Sequence, residues 1–371
     1  MSLCALMSQI GVQRKSSATS YRLLRGRMTM KLTRRALLNR LVAVPAVISS
    51  SRLGRAAAAR ILKISHQFPG GTPEVGDFRD RLCRKFAAAV EAQTQGELRF
   101  EIYPGSSLVK PVAQFSELSR GKLDLSLYPL AYAGGVVKET NIGLLPCLVT
   151  SYEQGLAWRS AEIGRELIAA IEKAGVKLLT WVWQSGSIAS RAGPVVNPAD
   201  VKGLQIRGGS REFDIMLKAA GGIISSVPSN DIKSAMQTGR LDAAITSSTS
   251  LLSFGVEDVT RNLTTGRGKS IWYMLEPLLM SKAAFDSLTP AQQKVVITVG
   301  ESLVQFGTSS ARADDQAIAD KFIAKGVKIH DMTAATIQEW HTIAVDTAYR
   351  DFAARGPECV RLLKLAQDVA A

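Results

Sequence analysis

A mixed α/β protein of two similarly built lobes, with one long helix running across both, is the fold the sequence predicts. Three observations predict it. Strand-like alternation and helical spacing follow one another from Arg60 onward, a segment around Asp124 has a counterpart 118 residues later, and a helical stretch after Thr289 is too long for a single lobe.

The first element is Arg60 to His66, where apolar and polar residues alternate as in a strand. Phe78, Leu82, Phe86, Ala89 and Val90 then recur at helical spacing, and Leu98 to Tyr103 alternates again. Strand, helix, strand indicates a βαβ unit with parallel strands.

The internal repeat comes next. Arg120-Gly121-Lys122-Leu123-Asp124-Leu125-Ser126-Leu127 matches Thr238-Gly239-Arg240-Leu241-Asp242-Ala243-Ala244-Ile245, and each follows a proline-led helical stretch, from Pro111 and from Pro228. In both, the glycine suits a left-handed helix stop. The apolar residues after each aspartate form a short buried strand. Asp124 and Asp242 start these strands and are read as structural. Ligands of parallel sheets bind beyond the carboxyl ends of strands, so Tyr128 and Thr246 are candidates to face a shared cleft.

Thr289-Pro290-Ala291-Gln292 is a capping box with proline at the first helical position. Val295, Val296, Val299, Leu303 and Phe306 continue it, and Gly326 is the next stop signal. A helix from Pro290 to Lys325 would be about 54 Å long. It either kinks at Gly300 or Gly307 or runs across both lobes, and the second is the preferred reading.

The net charge of +14 has a local origin. Residues 1–59 hold eleven basic residues and no Asp or Glu, leaving only +3 for the rest. A nucleic-acid partner is not expected; the basic stretch reads as a targeting leader. Within it, Arg34-Arg35 precedes Leu37 and Leu38, the apolar run Leu41 to Ile48 and the alanines Ala56 to Ala59, the layout of an export signal of the twin-arginine kind. Cleavage is expected near Ala58 or Ala59, with Met28 and Met30 as alternative starts. The apolar run is far shorter than a membrane span and contains Pro45, so the mature chain is not expected to cross a membrane. Cys83, Cys147 and Cys359 lie far apart with no CxxC spacing; each is read as a small buried hydrophobe.

Enzymatic chemistry is hard to find. There is no G-x-S-x-G elbow and no G-x-G-x-x-G, and His66, His330 and His341 have no metal-ligand spacing. Gly268-Lys269-Ser270 ends like a phosphate loop but has Leu263 where the leading glycine belongs. Neither a cofactor nor a metal is expected.

Asn197-Pro198-Ala199-Asp200-Val201-Lys202-Gly203-Leu204-Gln205-Ile206-Arg207 resembles the P-x-D-(L/M)-K-G-(L/M)-K-(I/L/M)-R signature of TRAP-transporter solute-binding proteins. Tyr103 to Leu108, Ala235 to Asp242 and Ser281 to Leu288 stand in the family's order, so the resemblance runs from about Ile61 to Ala344. It implies a two-lobed periplasmic-binding-protein fold that closes over a ligand and docks onto the small and large membrane subunits of a permease. An ABC-type receptor, and after it a two-lobed enzyme, are the alternatives.

The family's carboxylate-binding arginine matches Arg207, and a planar guanidinium suits both oxygens of an acid. Where sialic-acid receptors carry a second arginine this chain has Ser187, and the family's Asp-Gly-x-x-Asn segment has Thr246 in place of the amide. The implied ligand is therefore a small monocarboxylate other than a sialic acid: a uronic or other sugar acid, or a 2-oxo or aromatic acid. Gln184, Ser187, Ser210, Thr246, Ser247 and Tyr128 are candidates to share the pocket. Trp272 stacks on the ligand or packs in the core; Glu276 lies in the same crossing segment; His66 points into the cleft or serves the core. Arg191 and Arg211 are read as solvated. The expected division is a leader over 1–59, a first lobe of 60–184 and 273–312, and a second of 185–272 and 313–371.

Overall fold

A computed structural model describes residues 59–369, so the expected leader and its arginine pair lie outside the described residues. The first lobe is built on strands β1 (Arg60–Ser65), β2 (Leu98–Tyr103), β3 (Leu125–Leu127) and β4 (Val176–Thr180) with helices α1 (Phe78–Gln93), α2 (Gln114–Ser119), α3 (Tyr152–Ala157) and α4 (Glu162–Lys173). The second holds β5 (Trp183–Ser190), β6 (Gln205–Arg207), β7 (Ile223–Ile224), β8 (Ala243–Ser247) and β9 (Asn262–Thr265) with α5 (Arg211–Ala219), α6 (Ile232–Gln237) and α7 (Ser248–Ser253). The chain then crosses back through β10 (Tyr273–Leu275) into β11 (Leu278–Ser281) and α8 (Lys282–Asp286).

The first sheet has the order β2-β1-β3-β11-β4. As the alternation predicts, β1 is parallel to β2 and β3, whereas β11 is antiparallel to β3 and β4. In the second sheet β6 is parallel to β7 and β8, and β5 is antiparallel to β8 and β9. The antiparallel members are the strands that arrive from the other lobe. β5 and β10 also pair with each other, Tyr273 opposite Ser185 and Leu275 opposite Trp183, so the two crossings form one ribbon between the sheets. The expected boundaries at 184/185 and 272/273 fall on this ribbon.

The repeat is carried into three dimensions. α2 and α6 begin 118 residues apart and have equal length, and β3 and β8 begin at the same offset. Gly121 and Gly239 both take positive φ, +69° and +78°. The two aspartates play one role: Asp124 accepts from the Lys63 amide (2.8 Å) and Asp242 from the Gln205 amide (3.0 Å), each pinning its strand to the neighbouring one.

The long helix runs across both lobes, the preferred expectation, and is also broken, at Leu303 and not at Gly300 or Gly307. α9 (Pro290–Ser302), capped by Thr289 and Gln292, packs on α1 and β4 of the first lobe. α10 (Val304–Ile323) packs on β5, β9 and α7 of the second. The break falls at Leu303, whose amide turns back to the Gly300 carbonyl (3.3 Å) while the Thr180 hydroxyl donates to the same oxygen (2.9 Å); side chains inserted into the ladder are a recognised cause of kinks.

β12 (Lys328–Asp331) then joins β9 in parallel, and α11 (Ala334–Ala344), α12 (Arg350–Ala354) and α13 (Pro357–Gln367) complete the described chain. The last helix departs from the expected division. It packs against α4 and the turn Lys138–Leu144 of the first lobe, where Cys359 and Leu362 bury their side chains. Cys83, Cys147 and Cys359 are all buried, and among the described residues none is paired.

Candidate functional site

The signature segment first makes a turn. Asp200 accepts from the Val196 and Asn197 amides (2.9 and 2.7 Å), and Gly203 takes φ +77°, which sends β6 into the sheet beside β8. Arg207 is the last residue of that strand. Gly208 and Gly209 follow, and Ser210 caps α5 by accepting from the Phe213 amide (3.2 Å).

Arg207 is only 2% exposed. Its Nε donates to the Val227 carbonyl (3.0 Å), Nη1 to the Ile245 carbonyl (2.7 Å) and Nη2 to the Tyr132 hydroxyl (2.8 Å). All three acceptors are neutral, and among the described residues no carboxylate forms an ion pair with it. Asp214 is close by, but its oxygens take the Gly208 amide (3.3 Å) and the Ser226 hydroxyl (2.7 Å). Burial pushes the Asp214 carboxyl above its ordinary value, against the pull of Ser226 and Arg207. A guanidinium has five N–H donors, so one on each terminal nitrogen remains. Arg207 borders a cavity of about 230 Å³ lined also by Ala131 and Tyr132 of the first lobe and by Gly209, Ser226 and Pro228 of the second. Gly209 permits this approach: its φ is +97°, and a Cβ there would stand 2.6 Å from Nη1.

Of the other expected ligand-binding residues, Ser210 shares the cavity with Arg207. The Ser210 hydroxyl donates to the Leu144 carbonyl (3.1 Å), joining the lobes. Arg211 lines the cavity as well but is paired with Asp351 (2.7 Å). Thr246 lies in β8 opposite Ser187 of β5. Ser187 shares a hydrogen bond with Ser248 (3.0 Å) and accepts from the Gly266 amide (2.9 Å), within the second lobe. Ser247 caps α7. Trp272 is buried in the core arrangement: its ring lies where a Gly186 Cβ would be, 2.5 Å away, and its Nε1 donates to the Gly208 carbonyl (3.1 Å), fixing the backbone next to Arg207. His66 stacks on Phe68 and its Nε2 meets Asp80 (3.1 Å). Arg191, read as solvated, is half-buried and donates to the Met236 carbonyl (2.9 Å).

Gln184 and Glu276 come together on the crossing ribbon, where the Gln184 amide donates to Glu276. They belong to a buried cluster around Arg79 of α1. Arg79 grips both oxygens of Asp77 (2.9 and 2.6 Å), reaches Glu276 (3.2 Å) and lies over the Phe68 ring at 3.6 Å. Burial pushes the Glu276 carboxyl up to about 7, against the pull of Arg79.

Three residues of this region are absent from the sequence reading: Tyr132, Gln67 and Arg79. Tyr132 brings its hydroxyl to Arg207 and also accepts from the Ser229 amide (3.2 Å). Gln67 buries both ends of its amide with no partner among the described residues, and the same holds for the Tyr128 hydroxyl, Gln184 Oε1 and Glu276 Oε1. Buried polar atoms are nearly always satisfied, and these lie just past β1 and β3 and on the crossing ribbon. Gln67 directly follows His66, one residue further past β1; that position is the one signal that could have found it.

Two lobes joined by a crossing ribbon, with a buried unpaired guanidinium between them, define a ligand-capturing receptor. The chain belongs to the bacterial extracellular solute-binding proteins of family 7, the DctP family, whose model matches residues 65–355, and it is a solute receptor of the TRAP type. A solute-binding protein of Albidiferax ferrireducens is 52% identical over 311 residues, covering 84% of this chain and 92% of that protein. The crystal structure of a TRAP periplasmic solute-binding protein from Rhodoferax ferrireducens with bound malonate, also 52% identical, superposes with a TM-score of 0.82 over 83% of this chain and 98% of the other. The galacturonate-bound receptor of Sulfitobacter sp. shares the fold at 22% identity, with a TM-score of 0.75 over 83% of this chain and all of the other.

Proposed function

We propose that this receptor takes up a small organic acid in the periplasm, holds its carboxylate on Arg207 between the lobes, and delivers it to a TRAP permease of one small and one large membrane subunit. The observation that carries the reading is the buried Arg207 without a carboxylate partner. A buried cation is costly unless paired, and an acid seated on its two remaining N–H groups supplies that pair bidentately. Tyr132 and Ser210 adjoin this end of the ligand. Tyr128, Gln67, Gln184 and Glu276 offer hydrogen bonds to its remainder, with Thr246 beside them; Ser187, Ser247, His66 and Trp272 support the walls.

Malonate in the 52% identical relative favours a short acid; it is a dicarboxylate, and so points away from the monocarboxylic sugar, 2-oxo and aromatic acids expected from the sequence. Entry to the periplasm rests on residues 1–59, read as a leader with the Arg34-Arg35 pair. The test is a thermal-shift screen of malonate, other short mono- and dicarboxylates, hexuronates and aromatic acids. A ligand that binds only the folded state raises the melting temperature; the short acids are expected to give the largest shifts.

A further inference from the structure

The Arg79 cluster joins pieces that the fold otherwise leaves independent. Arg79 and Asp77 belong to the first lobe, at the start of α1, while Gln184 and Glu276 sit on the crossing ribbon. The remaining partner belongs to the second lobe: Arg79 Nη1 donates to the Ser250 hydroxyl of α7 (2.9 Å), and the Ser247 hydroxyl, which caps α7, donates to the same oxygen (2.9 Å). Arg79, Asp77 and Glu276 are all buried. Four hydrogen bonds and the Phe68 face satisfy the guanidinium almost completely, and Arg79 lies outside the cavity that Arg207 borders.

On the other flank of the site a second ion pair spans the lobes. Arg355 pairs with the buried Glu212 of α5 (3.0 Å) and donates to the Gly134 carbonyl of the first lobe (2.9 Å). The Arg355 brace lies on the α5 side, and the Arg79–Ser250 bond on the α7 side.

We infer that Arg79 is a positioning residue, a latch that holds the lobes together through Ser250 and so sets how long a captured ligand is retained. The chemistry favours this role over simple core filling. A planar fork fixed by a bidentate carboxylate presents its third edge in one direction only, so the Ser250 bond forms at one relative placement of the lobes and is lost when they part. A ligand that bridges both lobes binds the closed state; stabilising that state without touching the ligand slows dissociation more than it alters association.

The retention half of the inference rests on the receptor reading above; the lobe-separation half does not. Nitroxide labels at Lys122→Cys and Arg240→Cys, exposed equivalent positions of the two lobes, report the separation by pulsed electron resonance. In unliganded protein Ser250→Ala is expected to move population to longer distances, and Arg79→Lys more so. With malonate as probe, stopped-flow kinetics are expected to show dissociation faster by about tenfold in Ser250→Ala, the scale of one charge-assisted hydrogen bond, with association little changed. Distance distributions and dissociation rates equal to wild type in Ser250→Ala would overturn the latch, even if its melting temperature fell. Should Arg79→Lys fail to fold, Ser250→Ala decides alone. If malonate fails to bind the wild type, the short-acid reading fails while the unliganded distances still test the latch.

Discussion

Arg207 Nη2 and the Tyr132 hydroxyl meet at 2.8 Å, and they come from opposite lobes. Tyr132 also accepts from the Ser229 amide of the second lobe, so one hydroxyl of the first lobe collects two donors from the second. Removing it leaves a buried charged donor and a backbone N–H short of an acceptor. Tyr132→Phe should therefore weaken ligand binding by about 1.5–3 kcal/mol, roughly tenfold to a hundredfold. Most of the change is expected in the dissociation rate, measurable by surface plasmon resonance, and unchanged dissociation would show that the contact does not hold the lobes.

Gly209 gives a second prediction. Its positive φ already disfavours a side chain, and a Cβ would press on Arg207 Nη1 at 2.6 Å and Cζ at 3.0 Å. Gly209→Ala is expected to cost about 1–3 kcal/mol of stability from backbone strain, and to displace the guanidinium so that affinity falls more than stability alone explains. Calorimetry with a melting curve on the same sample separates the two effects; full affinity with lowered stability would mean that the guanidinium tolerates the displacement.

How much of this was legible in the sequence depends on the range of the contacts. The repeat was visible because turn chemistry is local: glycine and aspartate sit at the same offsets in both copies, and α2 and α6 follow suit. Arg207 was reachable through its signature. Tyr132 and Arg79 were not, because apart from Asp77 their partners lie 75 to 197 residues away in sequence and periodicity reports only which face of an element is apolar. The break at Leu303 has the same cause, since the side chain that donates to the Gly300 carbonyl comes from Thr180. The packing of α13 on the first lobe was missed because nothing in its own residues says which lobe it covers.

Glu276 predicts a pH dependence. Its carboxyl titrates at about 7 in the fold against an ordinary 4.5, so between these values the folded chain keeps a proton that the unfolded chain has released. With the folded value raised, the group's stabilising contribution is complete below about pH 4.5 and is lost as pH rises through 7. Asp315, raised to about 6 by burial, acts in the same direction at lower pH. Glu276→Gln removes the first effect: from about pH 5 to about pH 8 the wild-type melting temperature should fall relative to the variant's. Parallel curves would show that burial does not raise this carboxyl.

Export supplies a prediction for the residues that precede the described ones. Arg34→Lys together with Arg35→Lys should abolish periplasmic accumulation through the twin-arginine route, because that signal is read by a receptor as an arginine pair. Fractionation with N-terminal sequencing would place the mature start within a few residues of Arg60; undiminished periplasmic yield would exclude this route.

The central claim is that Arg207 holds the ligand's carboxylate, and isothermal titration of malonate into wild type, Arg207→Lys and Arg207→Ala tests it most directly. Truncation leaves the acid buried without its partner, which should cost about 2–5 kcal/mol, roughly 30-fold to several thousand-fold in Kd. Lysine, a point charge without the planar fork, should recover only part of the loss. Near-equal affinities for wild type and a folded Arg207→Ala would contradict the account and assign the acid to another residue.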